Sequence, residues 1–208
     1  MALTLHAITL AENGQDEPDV ENTSDATRVP FRDLSAVISE QQAFATGEPT
    51  PESIAKHRTI VDAAFTRGSV LPAPIGVVFR APDVLTRWME LHYVSLTSAL
   101  EYVEGRAVAR VHVARSDGKS DDTEPESDLP SQAAEALRAV RRRAVASIPL
   151  RHEHKAALPL GAAFLVERDS WKEFLAGVSE QQDAHHLLRF TVTGPWAPYD
   201  FVRMVFGG

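Results

Sequence analysis

The chain has no cysteine. That one absence removes disulfides, thiolate metal sites, iron–sulfur clusters and a cysteine nucleophile, and it fits a reducing compartment. Positive charge is also in short supply: 21 Lys and Arg stand against 29 Asp and Glu, for a formal net charge of −8. A surface of that sign is a poor match for nucleic acid or an anionic membrane. Long apolar runs are missing too. The longest mainly apolar stretch, Val70 to Phe79, contains Pro72 and Pro74 and is about half a bilayer span, so no membrane-crossing helix is expected. The opening residues, Met1-Ala2-Leu3-Thr4-Leu5-His6, lack the basic start of a secretory signal. The expected location is therefore the cytoplasm.

What remains is an ordinary globular composition, 44% apolar and 24% charged over 208 residues, enough for one large domain or two small ones. Leu3 to Leu10 reads as a first strand, and the polar stretch Ala11 to Arg28 as a loop. Leu34, Ala36 and Ile38 alternate with polar neighbours, the period of a half-buried strand. Thr50 and Pro51 give a helix start. The stripe Ile54, His57, Val61, Ala64, Phe65 has helical spacing, and Gly68 is expected to end it in the left-handed conformation. Ile75 to Arg80 reads as a short strand. Asp83 is expected to cap a long helix running to Glu104, with Leu85, Met89, His92, Leu96, Ala99, Leu100 and Val103 on one face. Gly105 stops it, and Arg106 to Ala114 alternates as another strand.

Ser116 to Asp128 holds six acids and no large apolar residue, the composition of a linker. Beyond Pro130, a helix is expected with Ala133, Leu137, Val140, Ala144 and Ile148 on one side. Leu160 to Val166 then reads as a buried strand, Asp169 as the cap of a helix carrying Trp171, Phe174, Leu175 and Val178, and Leu188 to Val192 as a strand. Phe201 to Phe206 is a candidate last strand. The expected fold class is α+β: two domains, each ferredoxin-like, an α/β sandwich with an antiparallel sheet. Residues 1–115 form the first, 116–130 an acidic linker, and 131–208 the second with a C-terminal tail.

Catalytic templates do not appear. There is no GxSxG elbow, no phosphate-binding GxxxxGK[ST] or GxGxxG loop, and no HExxH. His152-Glu153-His154 offers two imidazoles and a carboxylate, but a solvated loop is the simpler reading. His185 and His186 are adjacent just before a strand, where neighbours point to opposite faces. His57 and His92 lie on apolar helix faces and read as hydrogen-bonded core histidines. Arg141-Arg142-Arg143 reads as a solvated helix face or an ion pair with the acidic linker. No metal, cofactor or catalytic residue is expected.

Three segments together carry a family resemblance. The strongest is Arg189-Phe190-Thr191-Val192-Thr193-Gly194-Pro195-Trp196-Ala197-Pro198-Tyr199-Asp200-Phe201-Val202. The second is Ala162-Ala163-Phe164-Leu165-Val166 with Phe174 beyond it, and the third is Val70-Leu71-Pro72-Ala73-Pro74-Ile75-Gly76-Val77-Val78-Phe79. In order and spacing these resemble the GvpL/GvpF family of gas vesicle proteins. The first strand departs from the family pattern, with Leu3-Thr4-Leu5-His6-Ala7 where a Tyr-x-Tyr-Gly is common. The resemblance implies an accessory protein, not an enzyme, that binds the hydrophobic shell subunit or other vesicle proteins and is associated with gas vesicles. Chaperone-like, nucleating and wall-component roles all stay open, with strand addition at an open sheet edge or a groove between domains as modes of binding. Trp196, Tyr199 and Phe201 are candidate partner contacts, or else they pin the chain end to a core. The alternative is a small ligand-binding protein or enzyme on a ferredoxin-like scaffold.

Overall fold

A computed structural model describes residues 2–11, 26–41, 48–116, 128–150 and 160–204. The elements run β1 (Ala2–Leu10), β2 (Ala26–Phe31), β3 (Leu34–Gln41), α1 (Pro51–Arg67), β4 (Val70–Pro72), β5 (Val78–Phe79), α2 (Pro82–Val103), β6 (Arg106–Arg115), α3 (Leu129–Arg141), β7 (Ala146–Pro149), β8 (Leu160–Glu167), α4 (Trp171–Ala184) and β9 (Leu188–Trp196). They form two compact units with one antiparallel sheet each. The first unit takes the chain up to Glu104 and resumes at Ala197; the second spans Gly105–Trp196.

In the first unit the sheet order is β2-β3-β1-β4, with β5 also paired to β1. β1 is buried along almost its whole length, as a central strand covered on both faces must be. Leu3, Leu5 and Ile8 join Leu34, Ala36 and Ile38 of β3 and, from α2, Leu85, Trp88, Met89, Leu96, Leu100 and Val103 in one core cluster. The pairing of β1 with β3 shifts by one residue between Leu5 and Ala7. His6 is thus the extra residue of a β-bulge, a device that re-aims a side chain. On the other edge of β1, Val70–Pro72 and Val78–Phe79 pair separately. Pro72 and Pro74 offer no amide to a ladder, so the strand expected over Ile75–Arg80 reduces to two residues beyond a turn at Ile75–Gly76.

Helix boundaries follow local chemistry. Thr50 Oγ1 accepts the Ser53 amide at 3.2 Å and Pro51 opens α1, as the sequence predicts. Gly68 instead has φ 177, extended backbone open to any residue, so the expected left-handed cap is absent there. α2 begins without a side-chain cap; Asp83 sits in its first turn and Ala81 holds the cap position. Gly105 does adopt φ 67, the left-handed conformation that glycine accepts without a Cβ penalty.

The second unit reads β6, α3, β7, β8, α4, β9, with strand order β7-β8-β6-β9. β6 pairs with β8 over Arg106–Val113 and with β9 over Val108–Arg115. Its alternation identifies a half-buried strand but not its sheet: expected in the first domain, it is an inner strand of the second unit. The tail also departs from expectation. Ala197 is buried in the first unit, and Val202 and Met204 pack against that unit's core cluster. Most of the acidic linker, 117–127, lies outside the described residues. α3 stops at Arg141, and Ile148 belongs to β7 rather than to the helix. A single 3-10 turn, Arg168–Ser170, precedes α4 in place of an Asp169 cap. Residues 201–204 form no strand.

The second core centres on Phe174, fully buried, with ring centroids 5.4 Å from Phe164 and 6.1 Å from Trp171. Truncating it removes a large ring from a close-packed site, and only part of the void can collapse. Phe174→Ala is expected to destabilise this unit by about 3–5 kcal/mol, read by chemical denaturation; a change under about 1 kcal/mol would contradict this packing. Arg143 of the basic run lies over Gly177 of α4, where an added Cβ would meet its guanidinium, and bonds Glu180 Oε2 at 2.8 Å. One of the three arginines is thus a helix-packing group.

Candidate functional site

α2 has two apolar faces. One is the core stripe described above. On the other, Val84 and Tyr102 are 46% and 42% exposed, and Leu91 and Val94 both 74%. At about 100° per residue, Val84, Leu91 and Tyr102 fall within about 20° of one another and Val94 about 60° to one side. The stripe runs about 27 Å along the helix; Arg87 and Ser98 fall between Leu91 and Val94 around the helix, with Ser95, Glu90 and Glu101 beside them, all exposed. Single exposed leucines need no explanation, but an aligned set on one helix has the pattern of a partner-binding face. The sequence signal was present in the periodicity. The core stripe absorbed it, because both faces of this helix carry apolar residues.

The three expected contact residues lie at the start of the tail. Trp196 ends β9, half-buried, and its indole N–H donates to Thr193 Oγ1 at 3.2 Å. Ala197 and Pro198 are buried, and two tight backbone hydrogen bonds follow, Tyr199 N to Ala197 O at 2.8 Å and Phe201 N to Pro198 O at 3.0 Å. Tyr199 and Phe201 are half-buried. The Tyr199 ring lies 6.3 Å from that of His57. Burial, and then the nearby Asp62 carboxylate, push its phenol up to about 12, against the opposing pull of Arg58. The Gly194–Pro195 bond is cis, and Gly194 has φ 129. A Cβ there would stand 2.6 Å from Val108 O and 3.1 Å from the Trp171 ring. Gly194→Ala is therefore expected to cost at least about 2 kcal/mol; a thermal midpoint equal to that of the native chain would refute this close approach.

His6 and His57 meet in the first unit, each 3% exposed. His6 Nδ1 and His57 Nδ1 are 3.1 Å apart, and His6 Nε2 lies 2.9 Å from Ser39 Oγ. The bulge in β1 turns His6 toward α1, which supplies His57. Burial lowers the His6 pKa to about 3, helped by His57 and then Lys56. Burial lowers that of His57 too, opposed by the backbone of Ala73, which favours the charged ring although no hydrogen bond closes on Nε2. The sequence reading of His57 as a core histidine is consistent with its place. His6 was missed, since a lone histidine in an apolar strand gives no hint of a bulge. His92 stays half-exposed with its ring 5.2 Å from Trp88. His185 caps the C-terminus of α4 and His186 is in an exposed turn. His152 and His154 lie outside the described residues. Among the described residues no group of three or more His, Asp or Glu is placed to hold a metal ion, and no helix is long and apolar enough to cross a membrane.

Known proteins supply the context. The chain is 27% identical to gas vesicle protein F2 of Halobacterium salinarum over 91% of its length and 87% of the relative's. It is 23% identical to gas vesicle protein F1 of the same organism, over all of this chain and 96% of the relative. Its fold superposes on the crystal structure of gas vesicle protein GvpF from an Anabaena species with TM-score 0.80 at 16% identity, covering 100% of this chain and 98% of that one. GvpF from Microcystis aeruginosa gives TM-score 0.74 at 13% identity, covering 98% and 99%. The family model for gas vesicle synthesis protein GvpL/GvpF matches residues 5–144 and 114–203. With nearly its whole length matched, the chain belongs to the GvpL/GvpF family of gas vesicle synthesis proteins.

Proposed function

We propose that this protein is a non-catalytic accessory of gas vesicle assembly, cytoplasmic and vesicle-associated, and that it holds the hydrophobic shell subunit through the outer face of α2. The observation that carries the reading is the exposed Val84–Leu91–Val94–Tyr102 stripe on a chain of the gas vesicle synthesis family. An apolar subunit exposed before assembly tends to aggregate. A helix that presents aligned apolar side chains in an otherwise charged surface can cover part of it reversibly, as helix-in-groove partners do. Leu91 and Val94 are more exposed than the half-buried tail rings, so α2 is assigned the contact ahead of Trp196, Tyr199 and Phe201.

The β-α-β-β-α-β order of the second unit and its strand order β7-β8-β6-β9 support reading that unit as a ferredoxin-like module. The first unit, with three strands before its first helix, is a variation on the same two-layer theme. Co-purification of shell subunit with tagged chain, from cells building vesicles, tests the role. Recovery of the chain from thoroughly washed vesicles separates a wall component from a transient chaperone. Absence of the shell subunit from the tagged fraction, with the chain intact, would end this reading.

A further inference from the structure

β9 is the last strand of its sheet, and its composition invites further pairing. Its nine residues include Thr191, Val192 and Thr193 in sequence, and Arg189 is its one charged side chain, so the Phe190–Thr193 stretch carries none of the charges that usually blunt an edge strand. The register pairs Phe190 with Val113 and Val192 with Val111 of β6. Along an antiparallel strand, alternate residues turn both backbone groups to the same side. The amide of Phe190 points away from β6, because it donates to Gln182 Oε1 at 2.9 Å. Gln182 Nε2 in turn donates to the Leu188 carbonyl at 2.7 Å.

One carboxamide thus fills the acceptor of residue 188 and the donor of residue 190. A single residue of a parallel incoming strand would engage that pair, and an antiparallel one would need the same two groups from two of its residues. A side-chain amide offers the same donor and acceptor as a peptide group. Gln182 lies in the last turn of α4, and the turn after it closes with Leu188 N donating to His185 O at 2.9 Å. The short connection delivers the carboxamide to the strand edge. At the far end of β9, Pro195 has no amide to offer. We propose that Gln182 is an edge guard: its carboxamide stands in for a neighbouring strand and keeps β9 from pairing with the β9 of a second copy of this chain. This goes beyond the assembly role and holds whether or not α2 binds the shell subunit.

The test uses the full chain with Gln182→Ala and Gln182→Met; the second keeps the length and packing of the side chain while removing both hydrogen bonds. In the native chain the Phe190 amide should exchange with solvent slowly and the Val192 amide, on the same edge, at least about tenfold faster. Both variants should bring Phe190 up to the Val192 rate. Light scattering should then show concentration-dependent association beyond that of the native chain, reversed by adding Thr191→Lys on the exposed face of the strand. Fast Phe190 exchange in the native chain would overturn the proposal. So would variants that, still folded by circular dichroism, associate no more than the native chain.

Discussion

A chain carrying Leu91→Glu and Val94→Glu should fail to retain the shell subunit while unfolding at nearly the native midpoint. Both side chains are 74% exposed, so the folded chain gives up little packing when they change, and exposed glutamate is a good helix former. Binding is different. Fully burying a side chain of this size is worth about 1.5–3 kcal/mol, so two of them contribute about 3 kcal/mol or more when covered by a partner. That alone is about a hundredfold in affinity, and burying a carboxylate against an apolar surface adds a further penalty. In a pull-down the expected result is loss of the shell subunit from the tagged fraction. Retention at the native level would remove α2 as the contact but leave the family role standing. The control is Glu90→Gln with Glu101→Gln, which changes charge beside the stripe and should leave binding intact, since exposed charges contribute little.

The two faces of α2 also mark what could be read in advance. Its core positions Leu85, Met89, Leu96, Leu100 and Val103 follow from helical spacing and are all buried. The strand over Arg106–Ala114 and the Thr50–Pro51 helix start were equally plain, because each is a short-range pattern with one physical cause. What periodicity does not carry is pairing. Nothing local in Arg106–Ala114 says whether it joins the sheet before it or the one after it, and the outcome turns on β8 and β9, more than 40 residues further on. β2 was hidden for a related reason. The polar composition of Ala11 to Arg28 reads as loop and takes in the first half of β2, yet an edge strand tolerates polar residues and Pro30 on its unpaired side, and β3 gives it a complete partner. The histidine pair was invisible because it depends on a bulge, which inserts one residue into an alternation that otherwise looks regular.

That pair should make the first unit acid-sensitive at a pH where few other groups titrate. His6 and His57 have their Nδ1 atoms 3.1 Å apart, so one neutral ring can donate to the other, whereas two protonated rings would set N–H against N–H. Around them stand Ser39 from β3, the Ala73 backbone, Tyr199 from the tail, and Lys56, Arg58 and Asp62 from α1. Of these, Lys56 acts on His6 in the same direction as burial. Unfolded, both imidazoles take up protons near pH 6.5; folded, His6 does so only at about 3, and His57 is lowered as well. Below pH 6.5 the unfolded chain therefore binds protons that the folded chain refuses. The contribution is complete above that value and shrinks as the pH falls toward the folded-state values. The slope is about 1.4 kcal/mol per pH unit for each group fully inside its window. Between pH 7.5 and 5, His6 alone should remove about 2 kcal/mol, with His57 adding to it. His6→Gln keeps a polar partner for Ser39 and deletes one titration, so its loss over the same interval should be clearly smaller. Urea unfolding followed by amide exchange in β1 and β3 reads this unit selectively. Equal pH slopes for the native chain and His6→Gln would mean that the buried pair does not set the acid limit.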